Sequence, residues 1–269
     1  MKTRQLLALL SAFAALSVGQ TIPNNGIRLD GSFNTPYISE SGGTAYLQIS
    51  LKTGNFNLHN TRKPMNIAVV IDRSGSMDDE RKMDYAKKAF RRLIEQLEPR
   101  DILSVIVYDD KIDVLRSARR IGNDKQSILR ILDEISPRNS TNLGGGLIVG
   151  LHQAEKNIRK EFVNRVILLS DGLANIGITD PNLLNSIAKE FRRKGVSIST
   201  MGVGLDYNEN LMMSLAESGG GNYYFIEQPN MLASIVRKEF ESVSAVVAQN
   251  AVIQLKLDAN VRIQDIIGC

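Results

Sequence analysis

From about residue 65 to residue 246, segments patterned like buried strands alternate with segments patterned like amphipathic helices. Residues 66–72 (NIAVVID) form a short apolar run that ends in polar residues, which is typical of a strand buried on both faces. In residues 82–97 the apolar side chains recur at helical spacing. This alternation predicts an α/β domain at 65–247 in which helices cover both faces of a doubly wound, mostly parallel, Rossmann-like sheet.

The other elements of this domain follow from the same patterns. Pro99 ends the first helix, and a turn at 109–111 leads into an antiparallel edge strand at 112–121. We predict further strands at 101–108, 164–170, 196–203 and 222–227, and helices at 123–135, 145–159, 182–194, 209–217 and 230–246.

Two flanks, residues 20–64 and 248–269, differ from this domain in pattern. They contain alternating stretches at 44–52 and 250–263, and alternation is typical of half-buried antiparallel strands. We therefore expect the flanks to meet in a small, partial β unit. Because the chain stops soon after its last predicted strand, we expect either that something covers the strand edge or that the sequence is a fragment of a longer protein.

Residues 1–19 have the pattern of a secretory signal. Two basic residues precede the apolar run Leu6–Leu16, and small residues follow at a spacing that suits cleavage before Gln20. The run is short for a bilayer span, and an uncleaved anchor is the alternative interpretation. We expect an exported protein that is periplasmic, at the cell surface or secreted. Its single cysteine, Cys269, excludes a disulfide within the chain.

Charge and motifs argue against several classes of function. The formal net charge is +4, and no basic run is interleaved with aromatic residues, so we expect no nucleic-acid partner. The sequence contains no phosphate-binding loop, and its glycine clusters at 144–146 and 202–204 lack the dinucleotide-binding context, so we expect no small-molecule cofactor. It also lacks a nucleophile elbow. Of the two histidines, His59 lies in a polar flank and His152 lies within a predicted helix, where a structural role is expected.

The segment Asp72-Arg73-Ser74-Gly75-Ser76 follows the first buried strand of the domain. Open α/β sheets bind their ligands at the edge where such strands end. One carboxylate and two hydroxyls at alternate positions can face a single point if the loop curls tightly, and Gly75 permits that curl. Three hard oxygen ligands suit Mg²⁺ or Mn²⁺ better than Zn²⁺.

Two later loops reach the same edge when the direction of each predicted element is counted along the chain. The count brings loop 136–143, which carries Thr141, to the edge where strand 66–72 ends. Strand 164–170 then delivers Asp171 to that edge. Three loops that are far apart in sequence thus each contribute an oxygen-bearing side chain, which predicts one cation site.

These segments resemble the metal-ion-dependent adhesion site of von Willebrand factor type A domains. The resemblance covers about residues 64–245, and it is greatest to exported bacterial members related to the inter-alpha-trypsin-inhibitor heavy chains and to proteins labelled calcium-activated chloride channels. It rests on Asp-x-Ser-x-Ser at 72–76, on Ser-Thr-Asn-Leu-Gly-Gly at 140–145 and on Leu-Leu-Ser-Asp-Gly at 168–172.

The resemblance implies one Mg²⁺ or Mn²⁺ ion bound by five side chains. Ser74 and Ser76 would coordinate directly, Asp72 through water in many members, Thr141 directly in the ligand-engaged state, and Asp171 directly or through water. One coordination position would remain for a carboxylate of a protein partner. The function implied is a non-enzymatic, divalent-cation-dependent module for adhesion or assembly.

Two other functions stay open at this point. A metal-dependent hydrolase would use the same ion, but the sequence offers no evident general base. A regulator of a membrane channel or transporter is suggested by the chloride-channel label, although we expect membrane association only through an uncleaved N-terminal segment.

Simpler interpretations exist for single residues of the motif. Ser76 and Asp78 could cap a helix that begins near Asp79, and Asp171 with Gly172 could form an ordinary turn. Asp78 and Asp79 are also similar to an adjacent second cation site of some relatives, but a solvated acidic helix start explains them.

Overall fold

The computed structural model describes residues 27–35, 38–39, 42–53, 62–138, 140–172, 174–205, 207–245 and 253–267. The predicted signal segment, His59 and Cys269 lie outside these ranges. The chain divides into two compact units, one formed by residues 1–57 with 251–269 and the other by residues 58–250.

The smaller unit contains an antiparallel pair of strands, β1 (Ile27–Phe33) and β2 (Leu47–Thr53). Strand β2 overlaps the alternating stretch at 44–52, whereas β1 was not predicted. A hydrogen bond of 3.3 Å from Thr44 Oγ1 to Gln264 Oε1 joins the N-terminal and C-terminal flanks within this unit.

The strand predicted at 250–263 is wrong for the residues described there, because none of 253–267 lies in a strand or helix. Ile253, Leu257 and Ile263 are 46%, 44% and 49% exposed. The alternation predicts one apolar and one polar face for this segment. A strand also needs a neighbouring strand with which to form backbone hydrogen bonds, and residue spacing does not show whether one is present.

A six-stranded sheet forms the centre of the larger unit. Its strands are β3 (Met65–Asp72), β4 (Ile102–Tyr108), β5 (Ile112–Arg120), β6 (Val163–Ser170), β7 (Val196–Val203) and β8 (Gly220–Ile226). They lie in the order β5-β4-β3-β6-β7-β8, and all neighbouring pairs are parallel except β4 with β5. The antiparallel edge strand after β4 is thereby confirmed.

In the part of the chain that the structure describes, six α-helices cover this sheet. They are α1 (Lys82–Gln96), α2 (Lys125–Asp133), α3 (Leu143–Glu155), α4 (Pro181–Arg193), α5 (Glu209–Gly219) and α6 (Leu232–Ser244), with 3₁₀ turns at Gly75–Arg81 and Pro229–Met231. Apolar residues of α1, α2 and α6 share one core with one face of the sheet, and those of α3, α4 and α5 share a second core with the other face. The predicted doubly wound architecture is confirmed.

Burial on both faces explains the continuous apolar runs in the sequence. Every residue of β3, β4 and β6 is buried. Within β3, Val69 and Ile71 face the first core, while Ala68 and Val70 face the second. Because the side chains of a strand alternate between its faces, both sets must be apolar when helices lie on each side.

Helix α6 is fixed to the sheet by a buried carboxylate. Glu239 is fully buried and accepts hydrogen bonds from Ser199 Oγ (2.7 Å), Asn222 Nδ2 (2.8 Å) and Tyr224 OH (2.9 Å). Arg165 Nε lies 3.5 Å from its Oε1 and supplies a compensating charge. Residues of β6, β7 and β8 thus all contact one side chain of this helix.

Helix α3 packs against β3 through a glycine. A Cβ placed on Gly150 would lie 2.4 Å from Val70 Cγ2, whose β-branched side chain has little freedom to move. We expect Gly150→Ala to lower the free energy of unfolding by about 1–3 kcal/mol through overpacking. Urea denaturation measures this change. A gain in stability, as alanine gives at an open helical position, would contradict the close packing.

Candidate metal centre

Asp72 is the last residue of β3 and has no exposed surface. Its Oδ1 accepts a hydrogen bond from the backbone N–H of Ser74 (2.9 Å), and its Oδ2 accepts one from Ser170 Oγ (2.8 Å). Burial, with a smaller contribution from the charge of Asp171, raises the pKa of Asp72 to about 6 against the effect of these hydrogen bonds. A bound cation would favour the ionised form of this carboxylate.

The two serines of the first loop connect Asp72 with the second carboxylate. Ser74 Oγ lies 3.2 Å from Ser76 Oγ, which donates a hydrogen bond of 2.9 Å to Asp171 Oδ1. Asp171 directly follows β6, the parallel neighbour of β3, so both carboxylates lie at the edge where these two strands end. We refer to this edge, marked by Asp72 and Asp171, as the carboxyl edge.

Thr141 reaches the carboxyl edge from the loop before α3. A methyl group placed on Gly172 would lie 3.6 Å from Thr141 Oγ1 and 3.7 Å from Ser76 Oγ, so both hydroxyls border the same small space. The Thr141 N–H donates to Asn175 Oδ1 (3.0 Å), and its carbonyl accepts from the N–H of Asn175 (3.1 Å). The structure therefore brings all five predicted residues to one edge.

The donor set of this cluster is chemically uniform. It offers two carboxylates and three hydroxyls, which are hard oxygen ligands of the kind that Mg²⁺ and Mn²⁺ prefer. Within the described ranges, no group of three or more His, Cys, Asp or Glu side chains is placed to hold a metal ion. Coordination at the carboxyl edge would therefore depend on the hydroxyls as well as the two carboxylates.

The simpler interpretations of the first loop do not fit the structure. The 3₁₀ turn begins after Ser74 and α1 begins after Arg81, and neither residue caps its helix with a side-chain hydrogen bond. The idea that Ser76 and Asp78 cap a helix beginning near Asp79 is therefore wrong, because that helix begins later. Asp78 and Asp79 are both exposed.

Lys82 was not predicted as part of the site. Its ammonium group lies 2.9 Å from Asp171 Oδ2, and both side chains are buried. The signal was present in the helical spacing, because Lys82 precedes Ala86 by four residues and therefore lies on the buried face of α1. A lysine on such a face needs a partner for its charge.

An ion-pair network beside the first loop was also missed. Arg73, between the first two predicted ligands, donates to Asp109 Oδ2 (2.9 Å) and also contacts Asp113. Arg138 donates to the same two carboxylates at 2.5 and 3.2 Å, and its backbone N–H donates to the Arg73 carbonyl (2.7 Å). This network links the loop that carries Ser74 to the chain segment that leads to Thr141.

His152, for which a structural role was expected, contacts two neighbouring side chains. It lies on α3, its Nδ1 is 3.2 Å from Glu155 Oε2, and its ring packs edge-on against Phe191 with the ring centroids 5.4 Å apart.

The model of the von Willebrand factor type A domain matches residues 66–238, and the chain belongs to this family. It is 31% identical over 196 residues to YfbK, an uncharacterized protein of Escherichia coli (strain K12), and 27% identical over 170 residues to inter-alpha-trypsin inhibitor heavy chain H3 of Homo sapiens. The matches cover 72% and 59% of this chain but only 34% and 18% of those two relatives. The resemblance read from the motifs is confirmed.

Solved structures show the same fold. A von Willebrand factor type A protein from Catenulispora acidiphila superimposes with a TM-score of 0.63 at 19% identity, over 80% of this chain and 50% of that one. Proximal thread matrix protein 1 from the mussel byssus, solved with zinc in its metal-ion-dependent adhesion site, gives a TM-score of 0.54 at 15% identity over 66% and 48% of the two chains.

Proposed function

We propose that this domain binds one Mg²⁺ or Mn²⁺ ion through Asp72, Ser74, Ser76, Thr141 and Asp171, and uses the ion to capture an acidic side chain of a protein partner. The observation that carries the proposal is the convergence of these five oxygen-bearing side chains, from three separate loops, at the carboxyl edge. Von Willebrand factor type A domains typically bind proteins, and the family binds a divalent metal at this site.

The charge of the cluster supports capture of a carboxylate. A divalent ion would be held here by two carboxylates and by neutral hydroxyls, so the protein would not overcompensate its charge. Mg²⁺ completes its coordination with waters, and an anionic oxygen of a partner can displace one of them. Zinc in the metal-ion-dependent adhesion site of the mussel protein supports a divalent ion at the corresponding place in this chain, although hard oxygen donors favour Mg²⁺ or Mn²⁺.

We propose a binding role and no enzymatic one. Hydrolysis by a bound metal needs a positioned base. Among the described residues, the groups that donate hydrogen bonds to the two carboxylates are hydroxyls, a backbone N–H and the Lys82 ammonium. That ammonium already donates to Asp171. A hydrolase screen with Mg²⁺ and Mn²⁺ on wild type and Asp72→Ala tests the alternative, and metal-dependent turnover lost in the variant would support it.

Export to the periplasm, the cell surface or the medium is part of the proposal. It rests on the signal-like pattern of residues 1–19, with its short apolar core. No helix in the described part of the chain is long and apolar enough to cross a membrane. A partner would accordingly be sought among exported proteins, by capture with Mg²⁺ and release with EDTA.

Titration calorimetry of Mg²⁺ and Mn²⁺ into the full chain tests the metal site. We expect one ion per chain in wild type and no measurable binding in Asp72→Ala, because that variant removes one of the two carboxylates. Asp78→Ala is the matched control, since it removes an exposed carboxylate six residues away; screening should limit its effect to about twofold. Equal binding by all three proteins would place the ion elsewhere, and no binding by wild type would refute the proposed function.

A further inference from the structure

Lys82 lies in an environment that disfavours a positively charged side chain. The residue is 6% exposed and is the first residue of α1, where the positive end of the helix dipole disfavours a cation. The two residues before it, Glu80 and Arg81, adopt left-handed backbone conformations with φ of 51° and 59°. Such conformations are sterically unfavourable for residues with a side chain.

The ammonium group of Lys82 has a defined position beside the second carboxylate. Its Nζ lies 2.9 Å from Asp171 Oδ2, whereas Asp171 Oδ1 accepts the hydrogen bond from Ser76 Oγ. On the other side, a methyl group placed on Gly204 would lie 3.6 Å from Lys82 Cε and 3.7 Å from Nζ. The lysine therefore donates to one oxygen of Asp171, and the other oxygen accepts a hydrogen bond from a serine hydroxyl of the site.

The lysine also changes the charge of the site. Asp72 and Asp171 together carry two negative charges when ionised, and the ammonium of Lys82 cancels one of them at hydrogen-bond distance. A divalent ion bound among these groups would then keep one net positive charge. Like charges a few ångströms apart in a buried site repel strongly, so the ammonium opposes the binding of a cation.

We infer that Lys82 sets the charge of the metal centre: it holds Asp171 in place, weakens the binding of the cation, and leaves the bound ion with a net positive charge toward a partner carboxylate. This inference rests on the proposed metal site. It makes Lys82 a positioning residue that acts through Asp171 and is not a ligand itself.

The test replaces Lys82 by methionine, which keeps most of the side-chain length without the charge. Arg81→Met is a closely matched control, because it removes the same charge from the adjacent residue, whose side chain is 71% exposed and pairs with Asp84. Calorimetric titration of Mg²⁺ and Mn²⁺ is carried out on the full chain of wild type and both variants. Thermal unfolding is recorded in EDTA and at saturating Mg²⁺.

We expect Lys82→Met to bind Mg²⁺ at least about tenfold more tightly than wild type, whereas Arg81→Met should stay within about twofold of it. In EDTA the Tm of Lys82→Met should fall, because Asp171 loses its partner while buried. Saturating Mg²⁺ should then raise the Tm of this variant more than that of wild type. A lysine needed only for packing would give weaker or unchanged metal binding on removal.

The outcomes separate this inference from the proposed function. If wild type and Lys82→Met bind Mg²⁺ equally, or the variant binds it more weakly, the metal site stands and the inference fails. If only Lys82→Met binds, the inference is supported and metal binding by the native chain is refuted. If neither binds, both are refuted.

Discussion

Replacing Asp109 by alanine is expected to lower the free energy of unfolding by about 3–5 kcal/mol, the usual cost of removing one partner from a buried ion pair. The side chain of Asp109 has no exposed surface, and its Oδ2 accepts hydrogen bonds from Arg73 Nε (2.9 Å) and Arg138 Nε (2.5 Å). The Lys111 N–H donates to Oδ1 (2.7 Å). Burial by itself raises the pKa of Asp109, but these donors outweigh it and hold the pKa below its ordinary value.

The size of this effect follows from what alanine would leave behind. Arg73 is 7% exposed, and without Asp109 its guanidinium would keep, among the described residues, the contact with Asp113 alone. Asp113→Ala is the matched control, because this carboxylate contacts the same two arginines but its side chain is 47% exposed. We expect it to cost under about 1 kcal/mol.

Urea denaturation in EDTA measures both variants without any contribution from bound metal. Equal losses of stability in Asp109→Ala and Asp113→Ala would show that burial of Asp109 does not govern the network. Because the network joins the first loop to the segment before Thr141, Asp109→Ala should also weaken Mg²⁺ binding, whereas Asp113→Ala should not.

Binding of Mg²⁺ is expected to weaken about tenfold for each pH unit below about 6, since the ion requires the ionised form of Asp72. Burial raises the pKa of this carboxyl to about 6, so a proton competes with the metal in that range. Calorimetry at about pH 5, 6 and 7, in buffers with different heats of ionisation, measures both the affinity and the proton released. An affinity that is constant from pH 5 to 7 would contradict a raised pKa.

Without metal the same shift has the opposite consequence for stability. The folded pKa of Asp72 lies above its unfolded value, so the contribution of this group to stability is fully present below about pH 4 and is lost as the pH rises through about 6. The loss is roughly 3 kcal/mol, because the pKa of Asp72 is about 6 in the folded chain and 3.8 in its ordinary state. Mg²⁺ should restore stability above pH 6.

Ser170→Ala provides an internal check on this assignment. Ser170 Oγ donates to Asp72 Oδ2 at 2.8 Å, and this hydrogen bond favours the ionised carboxylate. Its removal should move the pH dependence of Mg²⁺ binding to higher pH. A shift to lower pH would mean that another group titrates.

Much of the fold was predictable from sequence, because strands that are buried on both faces appear as continuous apolar runs. A strand such as β3 is covered by helices on both faces and is therefore mostly apolar. The polar residues at its end mark where the strand stops, at the carboxyl edge of the sheet. Counting the direction of each element from there brought Thr141 and Asp171 to the carboxyl edge. The count works because each crossover between parallel strands returns the chain to the edge where the strands begin, so that all of them end at the opposite edge.

The features that were missed depend on partners that spacing does not encode. Strand β1 pairs with β2, whereas residues 253–267, which include most of the alternating stretch at 250–263, form no strand. The pairing of Arg73 and Arg138 with Asp109 depends on how three loops meet in space. Lys82 is different, because the helical spacing of α1 already places it on the buried face. Its partner, Asp171, could not be identified from that spacing.

Glu239 fixes the position of helix α6 along the sheet. Its carboxylate is held by side chains of β7 and β8 and lies beside Arg165 of β6, all at fixed heights along the sheet. If the helix slid by part of a turn, the buried Glu239 carboxylate would lose its hydrogen-bond donors and its contact with Arg165 together. We therefore expect α6 either to keep this position or to lose the whole set of contacts together.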